Sequence, residues 1–419
     1  EIETWIEQNY MIEVTPYGIY DANYEIKKNG IEAYRGPGLA ILHIEVEGPL
    51  IREFPSRGHR LLFDGIERRE VEPHNPKDKE KSWYKPVFEV ITEDERTDAG
   101  QALARIAAAA FRRPVERPEI APYLALFEGE RAKETSFEEA FRTAASAIFC
   151  SPKFLYLQEP PGTLDDHALA ARLSYFLTRT APDSPLLAEA AAGRLASDPD
   201  TLRRQTERLL ADPRFERFLT DFTDAWLNLR DIDFTVPDQK LYPEFDPFLK
   251  YSMLEETRAF LRELLEANHP VRTLVKSEFA MLNSRLADHY GVPGVTHPEL
   301  RKVDLPVASP RGGFLAQASV LKVSANGTNT SPVLRGAWVL ERILNQPPKP
   351  PPPGIPGVEP DIRGATTLRE LLDQHRDSSS CNSCHAKIDP PGFALESFNP
   401  IGGQRDYFRS LGEGEKVQK

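Results

Sequence analysis

Asp198-Pro199, Asp212-Pro213, Asp246-Pro247 and Ser331-Pro332 all read as helix starts. The short oxygen-bearing side chain accepts from the free N–H groups of the first turn. Proline has no N–H to lose and a φ already suited to the first helical position. Ser136-Phe-Glu-Glu139 adds a capping box, predicting a helix through about Phe149. From about Asp98 to about His289 apolar residues recur at helical spacing, as in Ala102, Leu103, Ile106, Ala109 and Ala110. After Asp246-Pro247, Leu254, Leu261, Leu264 and Leu265 predict one apolar stripe. The middle of the chain is therefore committed to a succession of capped helices.

The two ends read differently. Leu39 to Val46, with Ile41, Ile44 and Val46, lies between Gly36-Pro37-Gly38 and Gly48-Pro49 and predicts a buried strand. Tyr10 to Val14 and Ile19 to Ile26 are expected as further strands. Residues 72–86, with Pro73, Pro76 and Pro86, read as a long loop. Residues 347–353 are Pro-Pro-Lys-Pro-Pro-Pro-Pro, which cannot join a helix or a central strand and predict a polyproline II strut. A docking site for a proline-reading domain is the alternative. Thr367 to His375 should form a short helix beyond it. The expected fold is mainly α: a multi-helix body, a small N-terminal β unit and a C-terminal haem-type unit, the last for reasons given next. The expected divisions are a β unit at 1–71, a linker at 72–95, helical modules at 96–160 and 161–295, and the C-terminal unit at 296–419.

The 419 residues suffice for two or three packed units. A net charge of −12 argues against a basic nucleic-acid surface. No apolar run approaches the roughly 20 residues of a membrane span. Three cysteines do not make a disulfide framework. Cys150, in Ala147-Ile-Phe-Cys150, is expected to be a buried small hydrophobe. The other two form Cys381-Asn-Ser-Cys384-His385. Two thiols three residues apart, followed at once by a histidine, are what covalent haem c attachment requires. Cys381 and Cys384 would form the thioethers and His385 would ligate the iron. Zinc would need a second ligand pair, and a thioredoxin-like dithiol would need a βαβ setting.

The second axial position is open. No methionine follows His385; the three stand at 11, 253 and 281. His375, His289, Met253, Met281, a non-standard ligand and an open site are the options. A six-coordinate iron would relay electrons, whereas an open position would admit peroxide or oxygen. Arg335 and Arg405 could fork onto haem propionates. Trp5, Tyr10, Tyr17, Tyr20 and Tyr24 could form a sugar-stacking face on the β unit, although aromatics on short strands more often fill a core.

Several further segments carry a resemblance. They include Ala109-Ala-Phe-Arg-Arg-Pro114, Ser151-Pro-Lys-Phe-Leu155, Ala171-Arg-Leu-Ser-Tyr-Phe-Leu177 and Tyr242-Pro-Glu-Phe-Asp246. Arg311-Gly-Gly-Phe-Leu315, Thr330-Ser-Pro332, Arg335-Gly336, His375-Arg376 and Cys384-His385-Ala-Lys-Ile-Asp389-Pro390-Pro-Gly392 complete the pattern. Over about residues 36–410 the chain resembles the large planctomycete-type cytochrome c proteins, built of modules of unknown function. The resemblance implies an exported, haem-containing, redox-active protein, with further modules or a partner chain beyond these residues. The functional expectation is extracytoplasmic electron transfer through haem c, periplasmic or extracellular, with a redox partner protein or a second haem-bearing segment. A haem c peroxidase or oxidase and a carbohydrate-binding scaffold are the alternatives. Polysaccharide is a possible further partner, and membership of a larger complex is expected.

Overall fold

The computed structural model describes residues 22–36, 41–48, 50, 53–81, 83–159, 161–349 and 379–409. Among them are fifteen α-helices and two two-stranded antiparallel sheets, so the fold is mainly α as expected. The chain divides into two compact units, residues 43–218 and residues 219–419 together with 1–42. Among the described residues no helix is long and apolar enough to cross a membrane.

In the unit 43–218, helices Glu95–Phe111, Arg117–Arg131 and Phe137–Phe149 pack on one another. Ala99, Ala102, Leu103, Ile106, Phe127, Phe137, Phe141 and Ile148 form the core between them. Alanines on the first and third helices let the backbones approach closely. The predicted capping box is present: Glu139 N–H donates to Ser136 Oγ at 3.3 Å, and Ser136 N–H to Glu139 Oε2 at 3.2 Å. Cys150 corrects one expectation. It caps the end of this helix and is exposed, because Ile148 takes the inward position there.

The small β element falls elsewhere than the sequence suggests. Strands β1 (Glu67–Glu70) and β2 (Phe88–Ile91) pair with Glu67 opposite Ile91 and Glu70 opposite Phe88. Residues 41–48 form no strand, and Ile41, Leu42, Ile44 and Val46 are exposed. They have neither a ladder partner nor an apolar surface to cover. Ala22–Asn29, expected to be part of a strand, is a helix whose last turn carries Lys27 and Lys28, the favourable end for cations. Tyr24 thus lies on a helix. Trp5, Tyr10, Tyr17 and Tyr20 lie outside the described residues.

In the second unit, helix Pro247–Glu266 is the central element. Asp246 caps it, accepting from Leu249 N–H at 2.7 Å, and pairs with Arg285 at 2.8 Å. Its buried face is Leu249, Met253, Phe260, Leu261 and Leu264, whereas Leu265 is exposed. Leu265, about 100° round from Leu264, falls just past the edge of that face. Asp198, Asp212 and Ser331 cap as predicted, accepting from Asp200, Arg214 and Leu334 N–H. Strands β3 (Phe279–Leu282) and β4 (Arg301–Asp304) pair antiparallel, and helix Ser284–Tyr290 follows β3. Leu249, Met253, Leu282, Leu286 and Ile401 meet in one core. Through Ile401 that core reaches the segment that follows the cysteine motif.

Candidate functional site

The motif lies on helix Ser379–Phe393. A 3.6-residue period puts residues 381, 384 and 385 within about one turn. Cys384 is exposed and the His385 side chain is 15% exposed. One turn further on, Asp389 is fully buried, and its Oδ1 lies 2.9 Å from His385 Nδ1. Nδ1 donates to that carboxylate, the kind of partner that fixes the ring and tautomer of a ligand histidine. The helix runs on through Pro390 and Pro391, and the turn follows Phe393. Four-residue spacing was the signal for the His385–Asp389 pair, since i and i+4 share a helix face.

Helix Pro332–Arg342 packs along the motif helix. A Cβ on Gly336 would collide with the Ile388 carbonyl, and one on Gly392 with the Pro332 carbonyl. The pairing of 336 with 388 and of 332 with 392 makes the helices antiparallel. Each approaches the other over a glycine.

The segment after the motif helix is fastened by buried side chains. Arg335, wholly buried, donates to the carbonyls of Leu395 (2.7 Å), Phe398 (2.8 Å) and Asn399 (3.1 Å) and pairs with Glu396. Burial pushes Arg335 down to about 10, so it is still cationic at neutral pH. Arg405 pairs with Glu396 Oε2 at 2.6 Å and donates to Thr330 Oγ1. These are the two arginines expected at haem propionates, and the structure gives both a place in this network. Arg311 donates to Gly402 O at 2.7 Å and stacks on Tyr290. Asn399 Oδ1 accepts from Ile401 and Gly403 N–H.

The candidate axial ligands are dispersed. His289 Nε2 lies 2.8 Å from Ile401 O, close to Gly403, and burial pushes its pKa down to about 4. Its Nε2–H therefore donates to that carbonyl. Met253 is fully buried in the core around Leu249 and Ile401, and Met281 is partly buried on β3. His375 and most of the polyproline run lie outside the described residues. Among the described residues no three His, Cys, Asp or Glu side chains cluster as a metal site.

Three family models match. The one described as PSD5, protein of unknown function (DUF1595), matches residues 98–159. PSD4, protein of unknown function (DUF1592), matches residues 164–292. PSCyt3, protein of unknown function (DUF1588), matches residues 311–407, the stretch that holds the motif helix and its fastened loop. No curated protein and no solved structure matched the chain. With these three domains in succession, the chain belongs to the planctomycete cytochrome c-type family.

Proposed function

We propose that the motif helix carries a covalently bound haem c and that the chain transfers electrons outside the cytoplasm. The observation that carries this reading is the His385–Asp389 pair: a histidine beside Cys384 whose ring is held at Nδ1 by a buried carboxylate. Haem supplies one-electron chemistry at its iron. Cys381 and Cys384 would anchor it, and His385 would fill one axial position. Trp338, on the crossing helix, suits the same group. It is buried, and its indole N–H meets no acceptor among the described residues, a donor of the kind that a propionate takes. The fastened loop 395–405 keeps the motif helix in place and excludes water from its inner face. Haem c is assembled beyond the cytoplasmic membrane, which places the protein in the periplasm or outside the cell, facing a redox partner.

The test is expression together with a haem c maturation system. A Soret band that survives acid acetone, and is lost in Cys381→Ser/Cys384→Ser, supports the reading. A colourless wild type, or haem extracted by acid acetone, overturns it. A haem c peroxidase or oxidase is the second reading, favoured by the engagement of His289 with the Ile401 carbonyl and of Met253 in the core. Carbon monoxide separates the two. A reduced spectrum that ignores it marks a relay, and one that shifts marks an open iron.

A further inference from the structure

We infer that Asp389 is a positioning and tuning residue for the iron ligand, making His385 a strongly donating, imidazolate-like axial ligand. This deepens the haem reading and rests on it. Asp389 is fully buried, four residues beyond His385 on one helix face, with 2.9 Å between Oδ1 and Nδ1. A merely structural pair at this spacing would ordinarily lie on the solvent side, where it contributes little. Here the carboxylate is enclosed between the motif helix and what packs on it, so its charge is weakly screened.

The backbone around Asp389 is held just as closely. Ile388, the residue before it, presents its carbonyl to Gly336, and Gly392, three residues on, receives the Pro332 carbonyl. The two backbones are thus in close contact on either side of Asp389, which restrains the position from which its carboxylate meets Nδ1. Hydrogen-bond partners that hold a ligand histidine from behind both fix its ring and raise its basicity. A carboxylate does this more strongly than a neutral carbonyl, because it accepts a charge-assisted hydrogen bond.

The consequence is specific. A more anionic imidazole stabilises ferric over ferrous iron, so Asp389 lowers the reduction potential of this haem. It also strengthens the bond from His385 to the iron, which favours low-potential electron donation.

The experiment compares full-length wild type, Asp389→Asn and Asp389→Glu, each loaded with haem in cells, by redox titration. Asn keeps the shape and an acceptor oxygen but removes the charge; Glu keeps the charge. The expected result is at least a tenfold shift of the ferric–ferrous equilibrium toward ferrous in D389N, about 59 mV upward for one electron. D389E should recover part of that shift. A purely structural role would change the yield of folded protein and leave the potential alone. Equal potentials in D389N and wild type, with haem attached in both, overturn the inference. If D389N yields no holoprotein, hyperfine shifts of the His385 ring nitrogens in ferric wild type decide: an anionic ring supports the inference and a neutral one overturns it. A wild type that takes no covalent haem sinks the haem reading instead, so the two failures are distinct.

Discussion

Gly336 and Ile388 meet with no room for a side chain between them: a Cβ at 336 would overlap the Ile388 carbonyl oxygen. The obstacle is backbone, which cannot swing aside as a long side chain can. Gly336→Ala should therefore push the two helices apart, at a cost of about 1–3 kcal/mol. Chemical denaturation of the purified protein would show it. Gly129→Ala is the control, because nothing lies within 4 Å of a Cβ there. Removing a glycine from that helix should be neutral or stabilising.

Arg335 presents the clearest test of the fastened loop. Arg335→Met would remove the guanidinium's hydrogen bonds to the carbonyls of Leu395, Phe398 and Asn399 and leave Glu396 with one cation fewer. Breaking a buried pair in this way typically costs about 3–5 kcal/mol. Arg335→Lys should recover little, since a single ammonium cannot span acceptors arranged for a guanidinium fork. Equal unfolding midpoints for wild type and R335K would refute this.

Similar cap–proline signals should respond very differently to alanine. Ser331 is partly exposed and accepts from Leu334 N–H at 3.4 Å, so Ser331→Ala should cost about 1 kcal/mol or less. Asp246 is buried, caps Leu249 and also neutralises Arg285, itself buried. Asp246→Ala would take from that guanidinium the carboxylate it pairs with and should cost about 3–5 kcal/mol. Thermal melts of the two variants side by side would check the ratio.

Stability should fall on the alkaline side of neutrality because of Glu256. It is wholly buried, accepts from Tyr290 Oη–H at 2.5 Å, and burial pushes it up to about 8 from an ordinary 4.5. Between those values the folded state holds the proton more tightly than the unfolded chain, so raising the pH costs stability. His289 works in the opposite sense. Burial pushes it down to about 4 from 6.5, so its contribution grows as the pH rises through that window. The two effects oppose one another up to about pH 6.5, beyond which Glu256 acts without His289. From pH 6.5 to 8 the wild type should lose up to about 1.4 kcal/mol per pH unit, and Glu256→Gln should lose markedly less. Parallel profiles for the two proteins would count against the assignment.

The helical body was legible because its signals are local. Asp246-Pro247 and Ser136-Phe-Glu-Glu139 satisfy their own first turns, whatever packs on them later. The β element was not, because pairing is non-local. Residues 41–46 have a strand's composition but no ladder, whereas charged Glu67–Glu70 has one, supplied by Phe88–Ile91. Cys150 misled because an apolar run says nothing about which residue ends the helix. At the candidate site the motif itself was plain. Arg335 and Arg405 were recognisable as special, but their partners at 395–399 become visible only once the chain has folded back.

That return of the chain also sets an order of events. The residues that hold 395–405 come from far upstream: Arg335 reaches back across 60 residues to Leu395, Arg311 across 91 to Gly402, and His289 lies 112 residues before Ile401. Contacts of such long sequence separation form late, after local helices have paid their own entropy. Residues 395–405, and with them the end of the motif helix, should therefore lock late, and pulse-labelled hydrogen exchange during refolding should find 395–405 protected after the helix Pro247–Glu266. Were the proposed haem attached here, late locking would keep the thiols within reach of the attaching enzymes while the scaffold takes shape.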